Sequence, residues 1–447
     1  MIKKVTKIFT TSLLGKILGF LRIQLLTVFF GANYLTDAII LVTNIYWFWS
    51  NNIVDSLFSN TLIPRVAKHG KRKMQIVEAI RTISAVNVLS IFLGISVIFF
   101  SKGILHVFAP GANDELYMHS NHLMLLMFPL LFLIPLTEIF TLLNQYNEKF
   151  FISASNMTIW NLFQIIAILI VYYFFRVDLL LYVYAICTVL SYLVTSFMQL
   201  SSIDYRNNFP LKHLFHISLR HFKKSILHNF SYFLSTVFLQ VNLYVNFAFI
   251  ASLGAGAITI YNNIIKIPDV IQSLVMTSFT ILFFNEIANS KDKIVPHFKK
   301  FTLFIFVITI GLYIACSFYG KEFLYLIFTK KVFDPFPETG AVLMFATINI
   351  YFLGKFLLLI KTAIIENRGK YLLKMTFIAC LLNVALNYFL VDKYGMMGVV
   401  ISTLSVHIVL SQTVQVIMLK FRKELSLVYL FDLLLITVFV FTLLKYN

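Results

Sequence analysis

Several ionisable side chains stand inside stretches that are otherwise apolar. Lys16 and Arg22 lie in SLLGKILGFLRIQLLTVFF, and Asp37 and Asp55 follow in TDAIILVTNIYWFWSNNIVDSLF. Glu138 sits mid-run in FLIPLTEIFTLL, three residues after Pro135, while Asp269 directly follows Pro268 and Lys266 precedes both. Each stretch around 12–65 is long enough to cross a bilayer, which takes roughly 20 apolar residues. A charge near the bilayer centre costs at least ~2.5–3.5 kcal/mol, so it faces a bundle interior or a watery cavity. Buried cations there can hold an anion, and an acid such as Glu138 can carry a proton or a cation. The plainer alternatives are a lysine that snorkels to the interface, for which Lys16 is the best case, and an acid kept neutral or paired with a lysine. For Lys355 and Lys361 the alternative is interfacial anchoring, and Lys361 lies near the predicted inner end of its span. Asp269 can also cap a helix restarting after a proline break.

These residues need a bundle to place them, and composition supplies one. The chain has 447 residues, 59% hydrophobic and 13% charged, with a mean hydropathy of +0.85. That composition excludes a soluble domain and reads as a polytopic helical membrane protein. The net charge of +18 would suggest nucleic acid in a soluble protein, but here the basic residues fall in alternate loops, as positive-inside topology requires. No nucleic-acid partner is expected. The first apolar segment is too long for a cleavable signal peptide and lacks a small-residue cleavage site. Cys187, Cys316 and Cys380 all lie in apolar runs, with neither metal-site spacing nor an obvious disulfide pair.

Reading along the chain predicts about thirteen spans of roughly 20 residues. They cover 12–30, 39–65, 76–101, 121–144, 151–175, 178–200, 230–252, 257–285, 301–319 (with an extension to Phe328), 341–364, 371–391, 396–419 and 427–444. Turn-rich LHVFAPGANDELYMHS (105–120) and TKKVFDPFPETG (329–340) read as outer loops. Pro129 and Pro135 fall within the fourth span, which a membrane helix tolerates where neighbours satisfy the freed carbonyls. The basic loop VAKHGKRK (66–73) and the long polar segment 201–229 read as inner, and the latter suits a basic amphipathic helix on anionic lipid. Its histidines show no metal signature, and no metal or cofactor is expected. This gives residues 1–200 as a first lobe, 201–229 as a linker, 230–420 as a second lobe and 421–447 as an extra helix. A weak repeat supports two halves: FGANYLTDA (30–38) and LGAGAITIY (253–261) each follow the first helix of a half.

The motifs also carry a resemblance. LGFLR at 18–22, FGA at Phe30–Ala32, Thr36-Asp37-Ala38, Phe58-Ser59 and Ile63-Pro64 resemble the opening of the MurJ/MviN lipid II flippases, members of an exporter superfamily that includes Wzx flippases and multidrug antiporters. APGA at 109–112, Phe128-Pro129, Leu143-Asn144, Gln240, Asn246, YNNIIKIP at 261–268 and NVALNYFLVDKYGMMGVVIST at 383–403 extend it over most of the chain. The resemblance implies an all-α polytopic fold with two six-helix lobes around a central cavity plus a C-terminal helix. It implies a monomer of the bacterial cytoplasmic membrane, embedded in membrane lipid and not an enzyme, while the bias of Lys and Arg to alternate loops places the N-terminus inside. The substrate it implies is an undecaprenyl-diphosphate-linked glycan; the sequence leaves open which ion, H+ or Na+, couples the transport.

On that footing Arg22 matches a cavity arginine of the family and Lys16 stands at another. Arginine suits a diphosphate because its fork makes paired, charge-assisted hydrogen bonds. Lys266 and Lys355 are further cationic candidates. Gln240, Asn242, Asn246, Asn262 and Asn263 can bind sugar hydroxyls or equally serve as glue between helices. Glu138, Asp37, Asp55 and Asp269 are the candidates for ion coupling. The chain departs from the family where Ser50 and Asn51 replace an arginine pair, Asp55 replaces a glutamate and Asn263 (or, with a slipped register, Lys266) stands for an arginine. Those departures keep a Wzx-type flippase of O-antigen or capsular units as the alternative. A drug exporter of the superfamily is disfavoured by LGFLR…FGA…TDA. A membrane polysaccharide polymerase is disfavoured by short outer loops that gather no acids, histidines and arginines.

Overall fold

The computed structural model describes residues 2–49, 72–146, 149–203, 218–220, 223, 230–287, 294–365, 368–419 and 423–446, and among them the regular elements are all helices. Apolar surroundings force this outcome, because backbone groups that cannot reach water must be satisfied within the segment. Nine helices among the described residues are long and apolar enough to cross a membrane, and ten spans result if one bent pair is counted. The chain packs as two compact units, residues 1–240 with 254–259, and residues 241–253 with 260–447.

The first unit holds α1 (Ile2–Phe30), α2 (Tyr34–Phe48), α3 (Arg72–Phe108), α4 (Asp114–Leu126), α5 (Leu130–Tyr146), the short α6 (Phe150–Ala154), α7 (Asn156–Phe174) and α8 (Leu180–Ser201). Helix α1 lies along α7, α7 along α8, and α8 along α5, while α2 packs on α4. Gly15 and Gly19 let α1 approach α7 closely: a Cβ on Gly19 would stand 3.1 Å from the Asn161 side chain, whose Nδ2 donates to Gly15 O at 2.9 Å. Small residues serve membrane helix contacts in this way because dispersion, not water exclusion, must hold them. At the other end, Asn144, Gln199, Asn156 and Thr141 bond in sequence across α5, α8 and α7 at 2.6–2.7 Å.

Two expectations change here. The segment 105–120 is not all loop. Asn113 Oδ1 accepts from Leu116 N at 3.0 Å and starts α4, and Asp114 and Glu115 favour its positive N-terminus. The single span expected over 121–144 is broken at residues 127–129 into α4 and α5, bent by 52°, since Pro129 offers no N–H. Pro135, in contrast, lies within α5. The carbonyl it frees, that of Leu131, accepts instead from Trp49 Nε1 at 3.2 Å.

The second unit contains the remainder of α9 (Phe230–Ala251), α10 (Ala257–Ile287) from Ile260, α11 (Ile294–Phe328), α12 (Lys330–Phe333), α13 (Thr339–Ile365), α14 (Gly369–Leu419) and α15 (Ser426–Lys445). Helix α13 is its centre, packed on α11, α14 and α15. Helix α14 is broken at Gly395 (φ 54°, ψ −133°) into two limbs, matching the two spans expected at 371–391 and 396–419. Residues 330–333 of the expected outer loop form α12. Helix α10 continues through Pro268, so the break that would have made Asp269 a cap is absent; Asp269 Oδ2 instead lies 3.7 Å from Lys266 Nζ. Helix α15 docks through a Phe306–Phe431 stack with centroids 4.1 Å apart and a 2.6 Å bond between Tyr313 Oη and Thr442 Oγ1.

Candidate functional site

The turn from α1 to α2 is a capping box. Asn33 Oδ1 accepts from Leu35 N and Thr36 N at 3.0 and 3.1 Å, and Thr36 Oγ1 accepts from Asn33 N at 3.0 Å. It places Asp37 one residue further on, fully buried. Asp37 Oδ2 accepts from Gly256 N at 2.8 Å, and Oδ1 accepts from Thr259 N at 2.8 Å and Thr259 Oγ1 at 2.6 Å. A side chain on α2 thus caps the first turn of α10, where an anion also meets the positive helix end. Gly256 is required there: its φ is +81°, and a Cβ would lie 2.6 Å from Ala32 O. The two copies of the sequence repeat are therefore in direct contact within the first unit.

Arg22, half-buried on α1, points at α7. Its guanidinium donates to Gln164 Oε1 and lies near enough to the Tyr184 hydroxyl to interact with it electrostatically, and its Cζ stands 5.0 Å from the Trp160 ring centroid. Gln164 is in turn held by Thr188, Nε2 to Oγ1 at 3.0 Å. Trp160 also meets Trp47 (5.0 Å between centroids) and, edge-on, Tyr192 (6.4 Å). Glu138, on α5, lies close enough to Tyr192 to interact with it electrostatically. Lys16 is half-buried on α1. Gln240, on α9, is half-buried. Asp55, with Ser50 and Asn51, lies outside the described residues, as does most of 201–229.

In the second unit Asn246 is the hub of a neutral polar knot. Its Nδ2 donates to Thr403 Oγ1 at 2.8 Å and Tyr261 Oη at 3.3 Å, and its Oδ1 accepts from Asn383 and Asn387 at 2.9 and 3.2 Å. Asn383 also donates to Asn242 O at 3.0 Å. Asn262 and Asn263 are buried in α10. Lys355 is fully buried on α13, and its Nζ meets Asp432 Oδ1 of α15 at 2.6 Å, with Tyr351 Oη donating to the same oxygen at 2.9 Å. The arrangement joins Arg22 to Gln164, Trp160 and Tyr184, Asp37 to Thr259, Asn246 to the α14 asparagines, and Lys355 to Asp432. Among the described residues no group of three His, Cys, Asp or Glu converges as a metal site would require.

Sequence reasoning passed over Gln164, Trp160, Asn387 and Asp432. A signal existed for each. Trp160 and Gln164 stand one turn apart in a span, as do Asn383 and Asn387, and Asp432 is an acid within LVYLFDLLLITV.

Comparison with known proteins agrees with this architecture. The family model "Lipid II flippase MurJ" matches residues 26–445. Two curated relatives, each described as a probable lipid II flippase MurJ, come from Buchnera aphidicola. The one from subsp. Baizongia pistaciae is 26% identical over 195 residues, covering 41% of this chain and 37% of the relative. The one from subsp. Schizaphis graminum is 30% identical over 182 residues, covering 39% and 34%. The matched segments thus span little more than a third of those relatives' length. Among solved structures, a lipid II flippase MurJ in an inward closed conformation superposes with a TM-score of 0.79 at 19% identity, over 98% of this chain and 93% of that one. A MOP-superfamily transporter from Pyrococcus furiosus shares the fold at a TM-score of 0.61 and 13% identity, over 92% and 94%. With nearly its whole length matched by the family model, the chain belongs to the lipid II flippase MurJ family.

Proposed function

We propose that the protein is a flippase, not an enzyme, that carries an undecaprenyl-diphosphate-linked glycan of the lipid II type across the bacterial cytoplasmic membrane by alternating access. The proposal includes a monomer with its N-terminus inside, and coupling to H+ or Na+ through buried acids, Glu138 first among them. The observation that carries the reading is Arg22: a cation inside an apolar bundle, set against neutral partners among the described residues. A diphosphate head group supplies the anion that such a cation lacks, while the long apolar tail stays in lipid. Ser50, Asn51 and Asn263, standing where the family resemblance expects arginines, favour as a second reading a Wzx-type flippase of another lipid-linked glycan.

The test is complementation of a flippase-depleted strain, with the membrane level of the protein measured alongside. Arg22→Ala should abolish growth at normal protein level. Arg22→Lys keeps the charge but loses the fork, and should recover only part of the activity. Full complementation by Arg22→Ala would remove Arg22 from the site.

A further inference from the structure

Burial of a cation in a bundle is ordinarily relieved by a carboxylate. Position 164, fully buried and directly against the Arg22 guanidinium, holds a carboxamide instead. We propose that Gln164 is a positioning and selectivity residue that holds Arg22 in place without cancelling its charge, so that α1 and α7 present a fixed guanidinium, with no counter-charge from the described residues, to a phosphate-bearing ligand. The inference rests on the reading of Arg22 as the anion-binding residue.

The hydrogen bonds determine which way Gln164 faces. Thr188 Oγ1 donates to Tyr184 O at 2.7 Å, so its single proton is committed. Towards Gln164 it can therefore act only as an acceptor, and the 3.0 Å contact from Nε2 fixes the amide end of the side chain. The carbonyl end is left to Arg22. Trp160, one turn earlier on α7 and buried, supports the guanidinium from its ring face at 5.0 Å, a cation–π contact that also adds no counter-charge. The guanidinium has five donors, and a neutral acceptor can orient it while leaving its full charge in the field. A glutamate of nearly the same size at 164 would form a buried ion pair, and the site would then offer an anion a dipole rather than a charge.

The experiment compares purified wild type with Gln164→Glu, Gln164→Met and Arg22→Ala in detergent. Binding of undecaprenyl diphosphate and of undecaprenol, which shares the tail and lacks phosphate, is measured by native mass spectrometry, and thermal unfolding is followed in parallel. The quantity read is the preference for the diphosphate over the alcohol. Gln164→Glu should unfold no earlier than wild type and lose at least tenfold of that preference. Gln164→Met stays neutral and should lose only a few-fold. Preference within twofold of wild type in Gln164→Glu overturns the proposal. So does an equal loss in Gln164→Met, because the effect would then come from shape and not charge. So does a parallel loss of affinity for both lipids. If Gln164→Glu does not fold, Gln164→Met decides: a few-fold loss of the preference supports the proposal, and a loss of tenfold or more, no loss, or a parallel loss of affinity for both lipids overturns it. If Arg22→Ala itself keeps the preference, the reading of Arg22 fails and the inference with it; if only Gln164→Glu keeps it, the inference alone fails.

Discussion

Asp432→Leu removes the carboxylate that Lys355 Nζ meets at 2.6 Å and Tyr351 Oη at 2.9 Å. The side chains of Lys355 and Asp432 are 0% and 6% exposed, so no water replaces the lost partner. Stranding one member of a buried pair costs about 3–5 kcal/mol, whereas exchanging both members for apolar groups of similar volume is neutral or stabilising. At roughly 2–4 °C per kcal/mol for a unit of 150–250 residues, either Asp432→Leu or Lys355→Met alone should lower the unfolding midpoint by roughly 6–20 °C. The double variant should return to within a few degrees of wild type. The assay is thermal unfolding of the four proteins in one detergent, read as a double-mutant cycle. A single variant that melts with wild type, or a double variant whose loss equals the sum of the singles, refutes the argument that this pair locks α15 onto α13.

Other outcomes follow from the same structure. Asp37→Ala deletes three acceptor contacts at a buried helix start and should cost about 2–4 kcal/mol, against about half that for Asp37→Asn, which keeps an acceptor oxygen; the same unfolding assay orders the three proteins. Glu138→Gln should insert and fold normally but weaken ion-driven transport, and an unchanged rate across pH and membrane potential would make Glu138 structural. Single cysteines placed in 66–73 and 201–229 should resist an impermeant thiol reagent in intact cells, because both stretches are strongly basic; labelling of both from outside would invert the topology.

The spans were legible because hydrophobicity in a membrane protein is written residue by residue, and runs such as LLYVYAICTVL need no knowledge of their neighbours. Asp37 was legible as a buried acid, and the repeat containing it was legible too, but not that Asp37 would meet the second copy at Gly256 and Thr259. That contact joins residues 219 and 222 positions apart. Arg22 was found for the same local reason and Gln164 was missed for the converse one, since a single glutamine in FQIIAILIV acquires meaning only when α1 is laid against α7. Pro129 and Pro135 look alike in sequence. One breaks its helix and the other does not, because Trp49 supplies a donor to Leu131 O, and nothing near Pro135 in the chain announces it.

A membrane potential does work only on net charge that moves, about 2.3 kcal/mol per elementary charge over 100 mV. Lys355 displaced together with Asp432 carries none, nor does Lys266 with Asp269, and the asparagine knot has no formal charge to move. Arg22, held by Gln164 and Trp160, carries a whole one. On the proposed function, the empty site would therefore travel through the field as a cation and the site loaded with a diphosphate as an anion. One and the same voltage would then push the two legs of the cycle in opposite directions, so that a resting potential would add its own bias on the direction of the lipid to that of the coupling ion.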